Sequence, residues 1–133
     1  MKIFKRILIV LSILLVAALI YIGGMLYWFS IGAVDFEAIK FNSEKWKASE
    51  PAMSWESPRL KMIEDLIENH LSVNMQVSEV LSLIGKPDDT PYFRSYDMVY
   101  YLGRERNAIG IDSEWLVFKT KNNIVQSYTL VRD

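Results

Sequence analysis

Residue types that could do chemistry gather in two places along this 133-residue chain. The first holds Glu64, Asp65 and Glu68, carboxylates spaced to lie near one another on a helix, where they could share a proton or hold a hard cation such as Ca²⁺. Nothing beside them in the sequence would strip their water or move their pKa, so they read as a solvated face. His70, the single histidine, falls on the apolar arc of the same helix. It reads as a partly buried structural residue, because general-base work needs an orienting partner that the pattern does not supply. The second place holds Tyr96, Tyr100, Arg104, Arg106 and Trp115. Tyr, Arg and Trp dominate binding hot spots, so these five are the expected partner-binding residues; the alternative for the strand aromatics is core or cross-strand packing.

Other chemistries are poorly supplied. The chain has no cysteine, which excludes disulfides, thiolate catalysis, Cys-based zinc sites and thiol-linked lipid anchors. One histidine cannot build a metal cluster, and no metal or cofactor is expected. No nucleophile elbow, phosphate-cradling glycine loop or paired histidine motif appears, so a non-enzymatic role is expected. A small domain without disulfides also has a modest core, which suits partner binding better than a rigid catalytic constellation and leaves little room for a ligand cavity. No small-molecule substrate is expected.

These residues must be positioned by elements that the hydrophobic pattern marks. Ser57 can cap a helix that Pro58 begins, and Leu60, Ile63, Ile67 and Leu71 then form one stripe, widened by Met62 and Leu66. Lys61 and Asp65 are spaced for a weak pair on the polar side. A shorter helix is predicted over Val77–Ile84, stopped by Gly85 and Pro87. After Pro91 the period changes to two, and three strands are predicted at about Ser95–Leu102, Glu114–Thr120 and Ile124–Val131. Lys121-Asn122-Asn123 supplies the left-handed positions of a hairpin, and the Gly103–Asp112 loop separates the first two strands. The expected fold class is α+β: an N-terminal transmembrane helix, then a small domain of two helices packed on a three-stranded antiparallel sheet.

Charge is distributed as unevenly as hydrophobicity. Lys2, Lys5 and Arg6 are the only charges before residue 35, whereas all 16 carboxylates lie at or beyond it, opposed there by 12 bases. An acidic body has no electrostatic footprint for phosphate backbones, so nucleic-acid binding is not expected. The uncharged run from Ile7 to Val34 exceeds the roughly 20 residues needed to cross a bilayer, and is too long for a cleaved signal's apolar region. Basic flanks stay cytoplasmic, and Tyr21, Tyr27, Trp28 and Phe29 suit the far headgroup zone. Residues 1–34 are therefore expected to be a cytoplasmic basic end and single membrane anchor. Residues 35–57 are expected to be a linker partly wrapping the domain through Trp46 and Trp55, and residues 58–133 the domain itself. In a Gram-negative cell this is an inner-membrane protein with its C-terminal domain in the periplasm.

Asn74-Met75-Gln76-Val77-Ser78-Glu79-Val80-Leu81-Ser82-Leu83-Ile84-Gly85-Lys86-Pro87-Asp88 resembles the G-M-[ST]-x-x-[DE]-V-x-x-x-[IL]-G-x-P signature of the BamE (SmpA/OmlA) family, small envelope proteins of outer-membrane β-barrel assembly. Tyr100-Tyr101-Leu102-Gly103, Trp115-Leu116-Val117-Phe118 and the Asn-containing hairpin extend the resemblance over about residues 58–131. It implies two helices on a three-stranded sheet, a fold shared with β-lactamase inhibitory protein repeats. Three departures stand out: the family's lipidated cysteine is absent, Asn74 replaces Gly, and Gln76 replaces a Ser/Thr cap, which should weaken that helix start. The resemblance implies a BamE-like, membrane-anchored periplasmic interaction module with a protein partner. The alternative is an immunity or inhibitor protein that blocks a periplasmic toxin or hydrolase, where an acidic body would steer toward a basic target.

Overall fold

The computed structural model describes residues 1–31, 36–50, 52–107 and 110–133, with the backbone alone for 29–31. The predicted end of the anchor at 32–34, Asp35 and Pro51 in the predicted linker, and positions 108–109 of the predicted loop lie outside the described residues, as does the side chain of Phe29. The chain divides into two compact units, Met1–Val34 and Asp35–Asp133.

The first unit is one helix, α1 (Lys2–Ile31). Its apolar side chains are exposed all around, from Ile3 through Ile13 and Leu15 to Leu26 and Trp28. A helix that is apolar on every side belongs in a core or in lipid. Lys2–Trp28 is long and apolar enough to cross a membrane, a property shared by membrane anchors and signal sequences.

The second unit is α+β. It contains α2 (Ser43–Ala48), α3 (Pro58–Asn69), α4 (Val77–Ile84), β1 (Met98–Arg104), β2 (Ser113–Lys121) and β3 (Ile124–Arg132). The strands form one antiparallel sheet in the order β1-β2-β3. Strand alternation sends Met98, Tyr100, Leu102, Leu116 and Phe118 to the helix-covered face, where they pack with Leu60, Met62, Ile63, Leu66, Val80 and Ile84. The β2–β3 hairpin turns at Asn122 and Asn123, whose φ values of 53° and 61° are those that asparagine tolerates better than other side chains. Asn74 likewise sits at φ 73° before α4.

Helix α2 was not predicted, and it changes the status of the segment before α3. Asn42 caps it, accepting from the Lys45 amide at 2.8 Å, and Trp46 is completely buried. The helix also serves α4: the Ser43 hydroxyl and Lys47 ammonium donate to the carbonyls of Leu83 and Ser82 at 2.6 and 3.0 Å, satisfying groups that a helix end leaves open. Ile39 donates to the Lys61 carbonyl and Phe41 to the Asp65 carboxylate, each at 2.8 Å. The stretch read as a linker partly wrapping the domain thus puts Trp46 into the core of the second unit, with Phe36, Ile39 and Phe41 packed against it.

Several local expectations are corrected by tertiary contacts. Ser57 does not cap α3; its hydroxyl donates to the Leu102 carbonyl, at a bulge in β1 between Tyr101 and Gly103. Lys61 pairs with Glu56 at 2.5 Å instead of Asp65, which is taken by Phe41 and Asn69. At the start of α4 the Glu79 carboxylate accepts from the Gln76 amide at 2.8 Å, a contact that supports the helix end from the other side of the missing Ser/Thr cap. His70 is exposed at the end of α3 rather than partly buried, its ring 4.9 Å from that of Phe41 and its Nε2 3.3 Å from the Asp65 carboxylate, a partner the sequence pattern did not supply.

Candidate partner-binding surface

The sheet's second face is built by the same alternation that fills the first. Val99, Tyr101, Trp115, Val117 and Val131 point away from the helices, and the chain between Pro91 and Tyr96 folds back over them. Phe93 adopts a left-handed φ of 54°, rare for an aromatic residue, and its ring lies 5.8 Å from Trp115. Tyr101, opposite Trp115 in the β1–β2 register, meets it edge to face at 4.7 Å, and Tyr92 closes the group at 5.7 Å. The indole N–H of Trp115 donates to Asp133 at 3.2 Å, which fixes the ring's orientation.

Beside this cluster opens a cleft of about 390 Å³, lined by Asp88, Asp89, Thr90, Tyr101 and Trp115. Its acidic wall is held to the edge of β1. The Asp88 carboxylate accepts from the Tyr101 amide at 2.7 Å and pairs with Arg59 at 3.1 Å, while Arg59 also donates to the Tyr101 carbonyl at 3.2 Å. Asp88 therefore satisfies backbone groups that an edge strand would leave open. Asp89 is exposed and has no ion-pair partner among the described residues.

The five expected partner residues fall in three environments. Trp115 and Tyr96 share the outer face, with Trp115 nearly buried as the centre of the cluster and Tyr96 half-buried under Lys119, whose ammonium lies 5.1 Å from the ring. Tyr100 faces the other way. It is fully buried, 5.9 Å from Phe118, with its hydroxyl donating to the Gly85 carbonyl at 2.9 Å, so it is a core residue and offers a partner nothing. Burial, with Asp88 nearby, pushes its phenol well above the usual range.

Arg104 and Arg106 stand at the loop end of the sheet. Arg104 is half-buried and stacks on Trp55 at 4.8 Å. Arg106 is tied inward: it pairs with Glu114 at 2.6 Å and Glu64 at 2.9 Å, and lies 5.3 Å from the Phe36 ring. Burial works to lower its pKa, but the hydrogen bond and charge of Glu114, assisted by Glu64, raise it on balance. The described part of the loop is pinned further by Glu105, buried, which pairs with Arg132 at 2.8 Å and whose carbonyl accepts from the Trp55 indole at 3.1 Å. Glu64 and Asp65 are thus committed to internal pairs. Among the described residues no group of three or more metal-ligating side chains is gathered.

Tyr92, Tyr101, Asp88 and Asp89 were missed as surface candidates. A period of two sets Tyr100 and Tyr101 on opposite faces of β1, but only the packed helices decide which face is covered. No family model, curated protein or solved structure matches this chain.

Proposed function

We propose that the chain is a non-catalytic, BamE-like interaction module of the bacterial envelope, anchored in the inner membrane by α1 with its α+β domain in the periplasm. The observation that carries this reading is the division of charge: three bases lie in the first turns of a lipid-compatible helix that is otherwise uncharged, and every side-chain carboxylate follows it. An anchored domain works where it is held, and this one presents an aromatic sheet face beside an acidic cleft. Depletion of charge among the clustered aromatics, with polar groups at their margin, is the composition of a docking surface. The resemblance to BamE rests on the sequence from Asn74 to Asp88; in that stretch Asn74, Glu79 and Gly85 supply a turn, a cap and a helix stop.

The test is photocrosslinking of the full-length chain in intact cells with a crosslinker placed at Tyr92. The proposal expects a discrete envelope-protein adduct that is lost when the crosslinker is moved to Glu68. Equal capture from both positions, or none from Tyr92, contradicts it.

A further inference from the structure

The cleft beside Trp115 has a chemistry more specific than a general docking face. Two walls are aromatic and fixed: Tyr101 is locked edge to face on Trp115, and Trp115 is tethered to Asp133. The third wall carries two carboxylates in unequal states. Asp88 is already compensated by Arg59, whereas Asp89 is exposed without an ion-pair partner among the described residues. An anion would be repelled from this wall, and a wholly apolar occupant would strip water from Asp89 without replacing it. A flat cation satisfies both chemistries, lying against an aromatic surface while its N–H groups reach a carboxylate.

The domain uses that pairing internally, with guanidinium groups 5.6 Å from Trp46, 4.8 Å from Trp55 and 5.3 Å from Phe36. Resting on the interaction-module reading above, we propose that the cleft receives an arginine side chain from an extended segment of the protein partner, with the half-buried Tyr101 ring beside the guanidinium, the buried Trp115 holding that ring in place, and Asp89 accepting from the guanidinium. The acidic body steers such a segment inward, and the cleft is open enough for a side chain to enter from solvent.

The experiment uses the full chain in nonionic micelles and two probes, a blocked Gly-Ser-Arg-Gly-Ser peptide and the same peptide with neutral citrulline for arginine. The indole N–H resonance of Trp115 reports binding. The proposal expects a saturable shift with the arginine peptide, binding about fivefold weaker with citrulline. Asp89→Asn should reduce the arginine peptide to the citrulline level, while Glu68→Gln, at an exposed carboxylate elsewhere, leaves it unchanged. Equal binding of both peptides, no saturable shift up to about 10 mM, or equal damage from Glu68→Gln overturns it. Ethanolamine binding as tightly as the arginine peptide also overturns it, by assigning the cleft to a lipid ammonium. If peptide selectivity fails while crosslinking at Tyr92 still yields its adduct, the cleft assignment falls and the interaction module stands. If both fail, the underlying reading falls with it.

Discussion

Arg106 and Glu114 form a two-point ion pair across the open end of the sheet, with Nη2 2.6 Å from Oε1 and Nε 3.2 Å from Oε2, and Glu114 is only 1% exposed. Such geometry fixes orientation as well as charge, and it holds the chain after β1 against β2. Truncating one partner leaves the other's charge buried. Arg106→Ala should therefore destabilise the domain by about 3 kcal/mol, measured by urea unfolding of the full chain in micelles. The double variant Arg106→Met/Glu114→Leu should recover most of that loss, because the unpaired charge is gone. A double variant as unstable as the single would show that the pair is worth more than its burial costs.

Trp46 anchors the segment before α3. Trp46→Ala should cost about 3–5 kcal/mol, although its indole N–H finds no hydrogen-bond partner in the structure. A loss below about 1 kcal/mol would return residues 36–50 to the status of a loosely attached tether.

Gly103 occupies the bulge at φ 144°, and an added Cβ would lie 2.7 Å from Leu60 Cδ1 and 2.8 Å from the Ser54 carbonyl oxygen. Gly103→Ala should lower stability by about 1–3 kcal/mol through combined strain and overpacking, as read from the unfolding midpoint. Ser57→Ala, which removes only the hydroxyl donated to Leu102, should cost less, about 1 kcal/mol.

Asp65 predicts a pH effect. The Phe41 amide, first, and then the Asn69 side chain hold its carboxyl below the usual value of 3.8 against the opposing effect of burial, with His70 adding smaller contributions. A depressed folded-state pKa gives stability that is present above the unfolded pKa and lost as pH falls through the folded one. The stability gap between the native chain and Asp65→Asn should therefore be present above about pH 4 and close below it. A gap that persists unchanged to about pH 2 would contradict this role.

How much of this was legible follows from which signals are local. The strands, the Asn122-Asn123 turn and the stop at Gly85 were readable because period and turn chemistry act within a few residues. Helix α2 was not, since six residues with one buried side chain make no period. Ser57 was misread because its hydroxyl finds Leu102, 45 positions away, before its own helix. The buried carboxylates of Glu105 and Glu114 gave no sign either: their burial depends on Arg132 and Arg106, which the folded sheet supplies. The choice of Tyr100 over Tyr101 was a different kind of miss: parity separates the two, but both faces of β1 are apolar, and which one the helices cover is settled only by the fold.

The most direct test concerns the placement of the domain. The chain has no cysteine, so Ser78→Cys, on the exposed side of α4, introduces a single thiol. Treated as intact spheroplasts with a membrane-impermeant maleimide, the full-length variant should be labelled without lysis and remain in the carbonate-washed membrane fraction. Labelling that requires lysis, or a labelled product released from the membrane with its mass trimmed by the apolar segment, would contradict the anchored, outward-facing module.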